Sequence, residues 1–175
     1  YIRGNFSNGT ACGLMDTALV AQKYIPNPIV LDKKNKFDFR MYMLIASIDP
    51  IILFYHDGFL RVSLTEYDLN SSDRSTHLTN THLSKEIFAS VSDGNETLEE
   101  EMRDYQMWTL EELQDYLLEI GKITDPNWLD NYLRPMFKKA YIHVVRMSRH
   151  GLWKHSSVFE MFGLDFMIDG DFNLW

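Results

Sequence analysis

The most regular feature of the chain is the alternation of apolar and polar positions over Lys36 to Ser47. Phe37, Phe39, Met41 and Met43 fall on one side and Asp38, Arg40, Tyr42 and Leu44 on the other, the period of a β-strand with one buried face. Asp38 and Arg40 therefore project together from a sheet whose opposite face is apolar. A shorter apolar run, Leu19 to Tyr24, predicts a strand that ends before Pro26 and Pro28, whose fixed φ imposes an extended path and a turn. Ile51 to Tyr55 and Phe59 to Leu64 predict a hairpin turning at Asp57-Gly58, with Arg61 inside its second arm. Val158 to Ile168 and Phe172 to Trp175 predict a second hairpin around Asp169-Gly170-Asp171, in which Asp165 points from a sheet face.

Two segments carry the helical period instead. Thr109 to Gly121 opens with a capping box, Thr109 and Glu112, and closes on a glycine; Leu110, Leu113, Leu117 and Ile120 form its apolar stripe. A longer helix runs from about Pro126 to about Arg149, with Asp125 as N-cap and Pro126 at the first helical position. Leu129, Leu133, Met136, Phe137, Ala140, Tyr141 and Val144 line its inner face, and Pro135 predicts a kink or a break. Tyr67 to Ser90 reads as loop, and the acidic stretch Asp93 to Glu101 as an exposed connection. Antiparallel strands with the helices grouped together make an α+β domain rather than a doubly wound parallel sheet.

Composition narrows the class. The 175 residues, 45% hydrophobic and 14% aromatic, suffice for one domain with a core. Cys12 is the single cysteine, so no internal disulfide forms, in keeping with a reducing compartment. No apolar run approaches the ~20 residues a membrane helix needs. A net charge of −8 argues against a general nucleic-acid binder. The chain begins at Tyr1 and stops at Trp175 within an expected strand, and is read as a piece of a longer protein.

Asp38 with Arg40, Arg61, and Asp165 each interrupt an otherwise apolar strand. Two arginines on one sheet face can cradle anionic oxygens. A carboxylate facing the same space can hold Mg²⁺, which takes one or two protein carboxylates beside phosphate oxygens. The same pattern also describes a solvated strand face or a structural ion pair. Periodicity alone thus reaches an α+β domain with a candidate anion site.

Five motifs in a fixed order go further: Gln22-Lys23-Tyr24-Ile25, Lys36-Phe37-Asp38-Phe39-Arg40, Gly58-Phe59-Leu60-Arg61, His77-Leu78-Thr79-Asn80, and Phe162-Gly163-Leu164-Asp165-Phe166-Met167-Ile168-Asp169. In this order, from about Val20 to Trp175, the chain resembles the tubulin tyrosine ligase-like family of ATP-grasp enzymes. The resemblance implies the C-terminal portion of an ATP-grasp catalytic domain, truncated at both ends, with residues 1–17 a loop or remnant of the nucleotide flap. It implies ATP and Mg²⁺ as cofactors, a free amino acid as substrate, and tubulin with its acidic C-terminal tails as partner. A cytoplasmic, cytoskeletal and ciliary or axonemal location follows from the same resemblance.

The resemblance also implies roles. Gln22, Lys23, Tyr24, Ile25, Lys36, Phe37, Asp38, Thr79 and Asn80 would bind ATP, with Asp38 on the ribose hydroxyls. Arg40 would neutralise the γ-phosphate and the acyl-phosphate it forms. Arg61 would hold the carboxylate of the incoming amino acid, with Thr81 and His82 beside it, and Asp165 would be a metal ligand. Thr81-His82 stands where glutamate-adding members carry Tyr-Ser, and the Ser71-Ser72-Asp73 run resembles the glycine-adding branch. Glycylation is therefore the expected reaction, polyglutamylation the alternative, and a catalytically silent microtubule or axonemal component the rival from another class. The family's Lys-Pro is absent here and its nucleotide flap has no clear Arg-Gly-Arg-Gly form, and the chain alone is expected to be inactive.

Overall fold

The computed structural model describes residues 22–80, 106–152, 155 and 158–175. The acidic stretch, Thr81, His82 and residues 1–17 lie outside these. Four antiparallel strands form one sheet in the order β3-β2-β1-β4: β1 (Asn35–Ile48), β2 (Ile51–Glu66), β3 (Met107–Trp108) and β4 (Glu160–Phe166). Helices α1 (Leu110–Glu119) and α2 (Arg134–Ser148) complete the α+β architecture.

The alternation in β1 is realised as expected. Phe37, Phe39, Met41 and Met43 are buried, and their register partners Val62 and Leu60 on β2 and Phe166 on β4 are buried with them. Phe137 of α2 packs edge-on against Phe39 at 5.2 Å and beside Phe166 at 5.1 Å between centroids. Leu110, Leu113 and Leu117 of α1 join the same cluster. One face of the sheet thus rests on helices, leaving the other for Asp38, Arg40, Arg61 and Asp165.

The expected hairpin at Asp57-Gly58 is not a turn. β2 runs unbroken from Ile51 to Glu66, and the chain reverses earlier, at Asp49-Pro50. The register passes from Arg40↔Phe59 to Tyr42↔His56, so β2 spends an extra residue there and bulges. Glycine marks the bulge because a Cβ on Gly58 would sit 1.7 Å from the Arg40 carbonyl oxygen. Of the strand expected at Leu19 to Tyr24, residues 22–24 are not part of a strand, and residues 19–21 lie outside the described set.

α1 keeps its capping box, with Thr109 Oγ1 accepting from the Glu112 amide and the Thr109 amide donating to Glu112. At its end Gly121 (φ +68°) and Lys122 donate to the Leu118 and Leu117 carbonyls, a Schellman closure. Ile120, placed in the stripe, is the C-cap residue within that closure and is exposed. The second helix starts later than predicted, as a π-turn over Leu129–Leu133 that feeds α2. Pro135 has no N–H to give, and the wider turn accommodates it, with the Arg134 amide donating to the Leu129 carbonyl. Beyond the π-turn the buried positions are Phe137, Tyr141 and Val145; Val144 is exposed. The N-cap position falls to Trp128 rather than to Asp125, which accepts from the Asn127 amide and the Asn131 side chain in the turn before it. The last hairpin forms around Asp169, with Met167 and Trp175 exchanging backbone bonds.

Candidate functional site

The polar face of the sheet is built by register. Asp38 on β1 stands opposite Arg61 on β2, and Arg40 stands opposite Asp165 on β4. Opposite charges facing each other across adjacent strands pair directly. Arg61 Nε donates to Asp38 Oδ1 at 3.1 Å, and Arg61 Nη2 donates to Asp38 Oδ2 and lies 3.1 Å from Asp165 Oδ1. Arg40 Nε donates to Asp165 Oδ1 at 2.7 Å. The contacts run from Asp38 through Arg61 and Asp165 to Arg40, alternating in sign.

Burial grades them. The Asp38 and Arg61 side chains are 8% and 11% exposed, those of Arg40 and Asp165 32% and 54%. Burial works against the Arg61 charge, but the hydrogen bonds and charge of Asp38, with Asp165 adding to them, outweigh it and push its pKa up. Lys36 goes the other way: burial lowers its pKa, and the charge of Asp38 only partly compensates.

An open cleft of about 540 Å³ lies over this face. Gln22, Lys23, Tyr24 and Ile25 line one side, Lys36, Asp38 and Arg61 the floor, His77, Leu78, Thr79 and Asn80 another side, and Asp165, Phe166, Met167 and Trp175 the end. Residues far apart in sequence thus meet around one space. Phe37 does not join them. The alternation that turns Asp38 into the cleft turns Phe37 into the core, 2% exposed and edge-on to Phe39, so its side chain cannot reach a bound nucleotide. Arg40 lies beside the cleft on Asp165 rather than in its lining. Asp38, expected on ribose hydroxyls, gives both its oxygens to Arg61.

His77 and Trp175 gain roles that the sequence did not assign. His77 Nε2 lies 2.8 Å from the Ser71 carbonyl, which only accepts, so that nitrogen carries the proton and Nδ1 accepts from the Tyr24 hydroxyl at 2.7 Å. The His77 carbonyl accepts from Lys36 Nζ at 2.7 Å, and the ammonium stands 5.2 Å over the Tyr24 ring. One histidine therefore ties segment 22–25, the start of β1 and the loop after β2 together. Trp175 is 58% exposed at the cleft end, and its indole N–H donates to Asp169. Its place depends on the Asp169 turn, where the same carboxylate also accepts from the Asp171 and Asn173 amides.

Among the described residues no three His, Cys, Asp or Glu side chains cluster as a metal site. The donor chemistry fits a magnesium ion that takes one protein carboxylate and fills its shell with phosphate oxygens and water. Asp165, half-exposed at the cleft end, is the residue that would hold it. No described helix is long and apolar enough to cross a membrane.

Residues 7–175 match the Tubulin-tyrosine ligase family. The chain is 34% identical to Tubulin glycylase 3A of Drosophila melanogaster over 157 residues, 89% of this chain and 15% of that protein. It is 30% identical to human Tubulin monoglycylase TTLL3 over 169 residues, 96% of this chain and 21% of the relative. It is also 30% identical to human Inactive polyglycylase TTLL10 over 161 residues, 90% of this chain and 22% of the relative. The chain thus spans less than a quarter of the length of these relatives. The match covers the strands, the helices and every wall of the cleft, and the chain belongs to the tubulin-tyrosine ligase family.

Proposed function

We propose that the protein carrying this chain is an ATP-dependent ligase that joins an amino acid, glycine favoured, to side-chain carboxylates of tubulin tails. The observation that carries the reading is the single cleft in which the segment 22–25, Lys36, Thr79 and Asn80 meet Arg61 and Asp165 on one rigid sheet face. A carboxylate oxygen of the tail attacks the γ-phosphorus of ATP, the bond to ADP breaks, and an acyl-phosphate forms. The amine of the amino acid then attacks the acyl carbon, inorganic phosphate leaves, the nitrogen loses a proton, and an amide bond results. Both steps concentrate negative charge, so the chain's contribution is positioning and charge stabilisation. Lys36 and Arg40 would neutralise phosphate oxygens, Arg61 would hold the amino acid's carboxylate, and Asp165 would hold the magnesium that shields the transferring phosphoryl group.

Glycine is favoured because relatives similar over nine-tenths of the chain are named glycylases. Tubulin enters as partner on the same ground, and with it a cytoskeletal setting. The test is incorporation of radiolabelled glycine into tubulin by the full-length protein with ATP and Mg²⁺. Transfer of glutamate but not glycine would move the protein to the polyglutamylases.

A second reading has its own observation. A relative named inactive is as similar, at 30% identity, as one named a monoglycylase. In that reading the fold serves as a microtubule or axonemal structural component. The outcome that favours it is microtubule co-sedimentation of the full-length protein with neither amino acid transferred.

A further inference from the structure

We infer that Asp38 is the positioning residue for Arg61: it grips the Nε–Nη2 edge of the guanidinium and turns the Nη1 end into the cleft, toward the carboxylate of the amino acid substrate. This rests on the ligase reading of the site and names what aims its specificity-bearing arginine.

A guanidinium has five N–H groups in a fixed plane. The one on Nε goes to Asp38 Oδ1, and the two on Nη2 go to Asp38 Oδ2 and Asp165 Oδ1. The two on Nη1 make no hydrogen bond to a described residue, and Nη1 is not among the buried unpaired atoms, so it opens to the cleft that Arg61 lines. Two bonds to one carboxylate fix both the plane and the rotation of the fork. The strands hold the carboxylate in turn, since Asp38 and Arg61 are register partners on a face backed by the core.

Burial separates this pair from its neighbour. Asp38 and Arg61 are shielded, whereas the Arg40–Asp165 pair is substantially solvated. A solvated pair is screened and readily exchanged for an incoming phosphate or cation. A shielded pair that loses one member leaves an uncompensated charge, so it persists through ligand binding. The inner pair is thus the fixed mount, and the outer pair is the part that gives way.

The competing role for Asp38 is a direct contact to ribose hydroxyls, and the two roles separate in kinetics. In the full-length protein, Asp38→Asn should raise the KM for glycine on the order of tenfold or more while the KM for ATP stays within about twofold. Wild type and variant should also discriminate equally between ATP and its 2′-deoxy and 3′-deoxy forms. The inference is overturned if the ATP constant rises while that for glycine holds, or if deoxy discrimination vanishes in the variant. Should Asp38→Asn not melt cooperatively, Asp38→Glu keeps the charge but moves the oxygens outward, and the same glycine-specific rise is expected. Absence of turnover in the wild type would sink the ligase reading. Equilibrium titration with ATP and the deoxy analogues still decides the role of Asp38 in that case, since a ribose contact weakens ATP binding in the variant and a mount for Arg61 does not.

Discussion

Two glycines show how different constraints act at single residues. Gly58 has an ordinary φ but no room: a Cβ would collide with the Arg40 carbonyl on the neighbouring strand. Gly121 has open space around it but φ +68°, a conformation that costs any side chain. Gly121→Ala should therefore cost about 1 kcal/mol, the ordinary penalty at a helix C′ position. Gly58→Ala must push β1 and β2 apart beside Arg40 and Arg61 and should cost about 2 kcal/mol or more. Urea unfolding of the two variants orders them, and equal losses would mean that the bulge relaxes freely. The glycine in Asp57-Gly58 was visible in the sequence, but its meaning was not. A hairpin turn and a bulge both use glycine, and only the register with β1 tells them apart.

At the scale of elements, the π-turn and the bulge are joined by one side chain. Arg134 donates to Asp57 on β2 from Nε at 2.8 Å and from Nη2 at 2.5 Å, to Glu111 on α1 at 2.5 Å, and to Asp130 in the π-turn at 2.9 Å. Pro135 was legible as a disruption, but no periodicity announces that the widened turn aims Arg134 at three carboxylates. Burial would raise the Asp57 pKa, yet the hydrogen bonds from Arg134 and Tyr55 outweigh it and hold it below the ordinary value. A carboxylate depressed in the folded state stabilises fully above its unfolded pKa of about 4 and loses that contribution as pH falls through the lower folded value. Arg134→Met, which keeps the apolar stem, should cost about 2 kcal/mol at neutral pH. The gap between variant and wild type should narrow below about pH 4, as Asp57 protonates in both. Urea melts at pH 7 and pH 3 read this, and a gap independent of pH would assign the loss to packing alone.

Across the whole molecule, one face of the sheet is core and the other is site, and the alternation of β1 encodes both. That is why Asp38, Arg40, Arg61 and Asp165 could be picked from sequence, and why Phe37, taken with its motif, could not be a ligand-facing residue. The wall built by His77 was beyond reach, because Tyr24, Lys36 and Ser71 meet it only through tertiary contact. A polar face backed by a full core has an energetic signature, and Lys36 displays it. Its side chain is buried, burial lowers its pKa, and its compensation is one carbonyl, one ring and the charge of Asp38. A lysine with a depressed pKa opposes folding wherever it is charged, and the cost fades only as pH rises past the lowered value. At neutral pH, Lys36→Met should therefore leave the melting temperature unchanged or raise it. The same substitution removes a cation from the cleft floor and should weaken ATP binding by about tenfold or more. Calorimetric titration with ATP and a thermal melt of the full-length protein test both halves together. A variant that melts lower and binds ATP undiminished would make Lys36 a structural tether of the His77 loop, and the cleft floor would lose its place as a phosphate site.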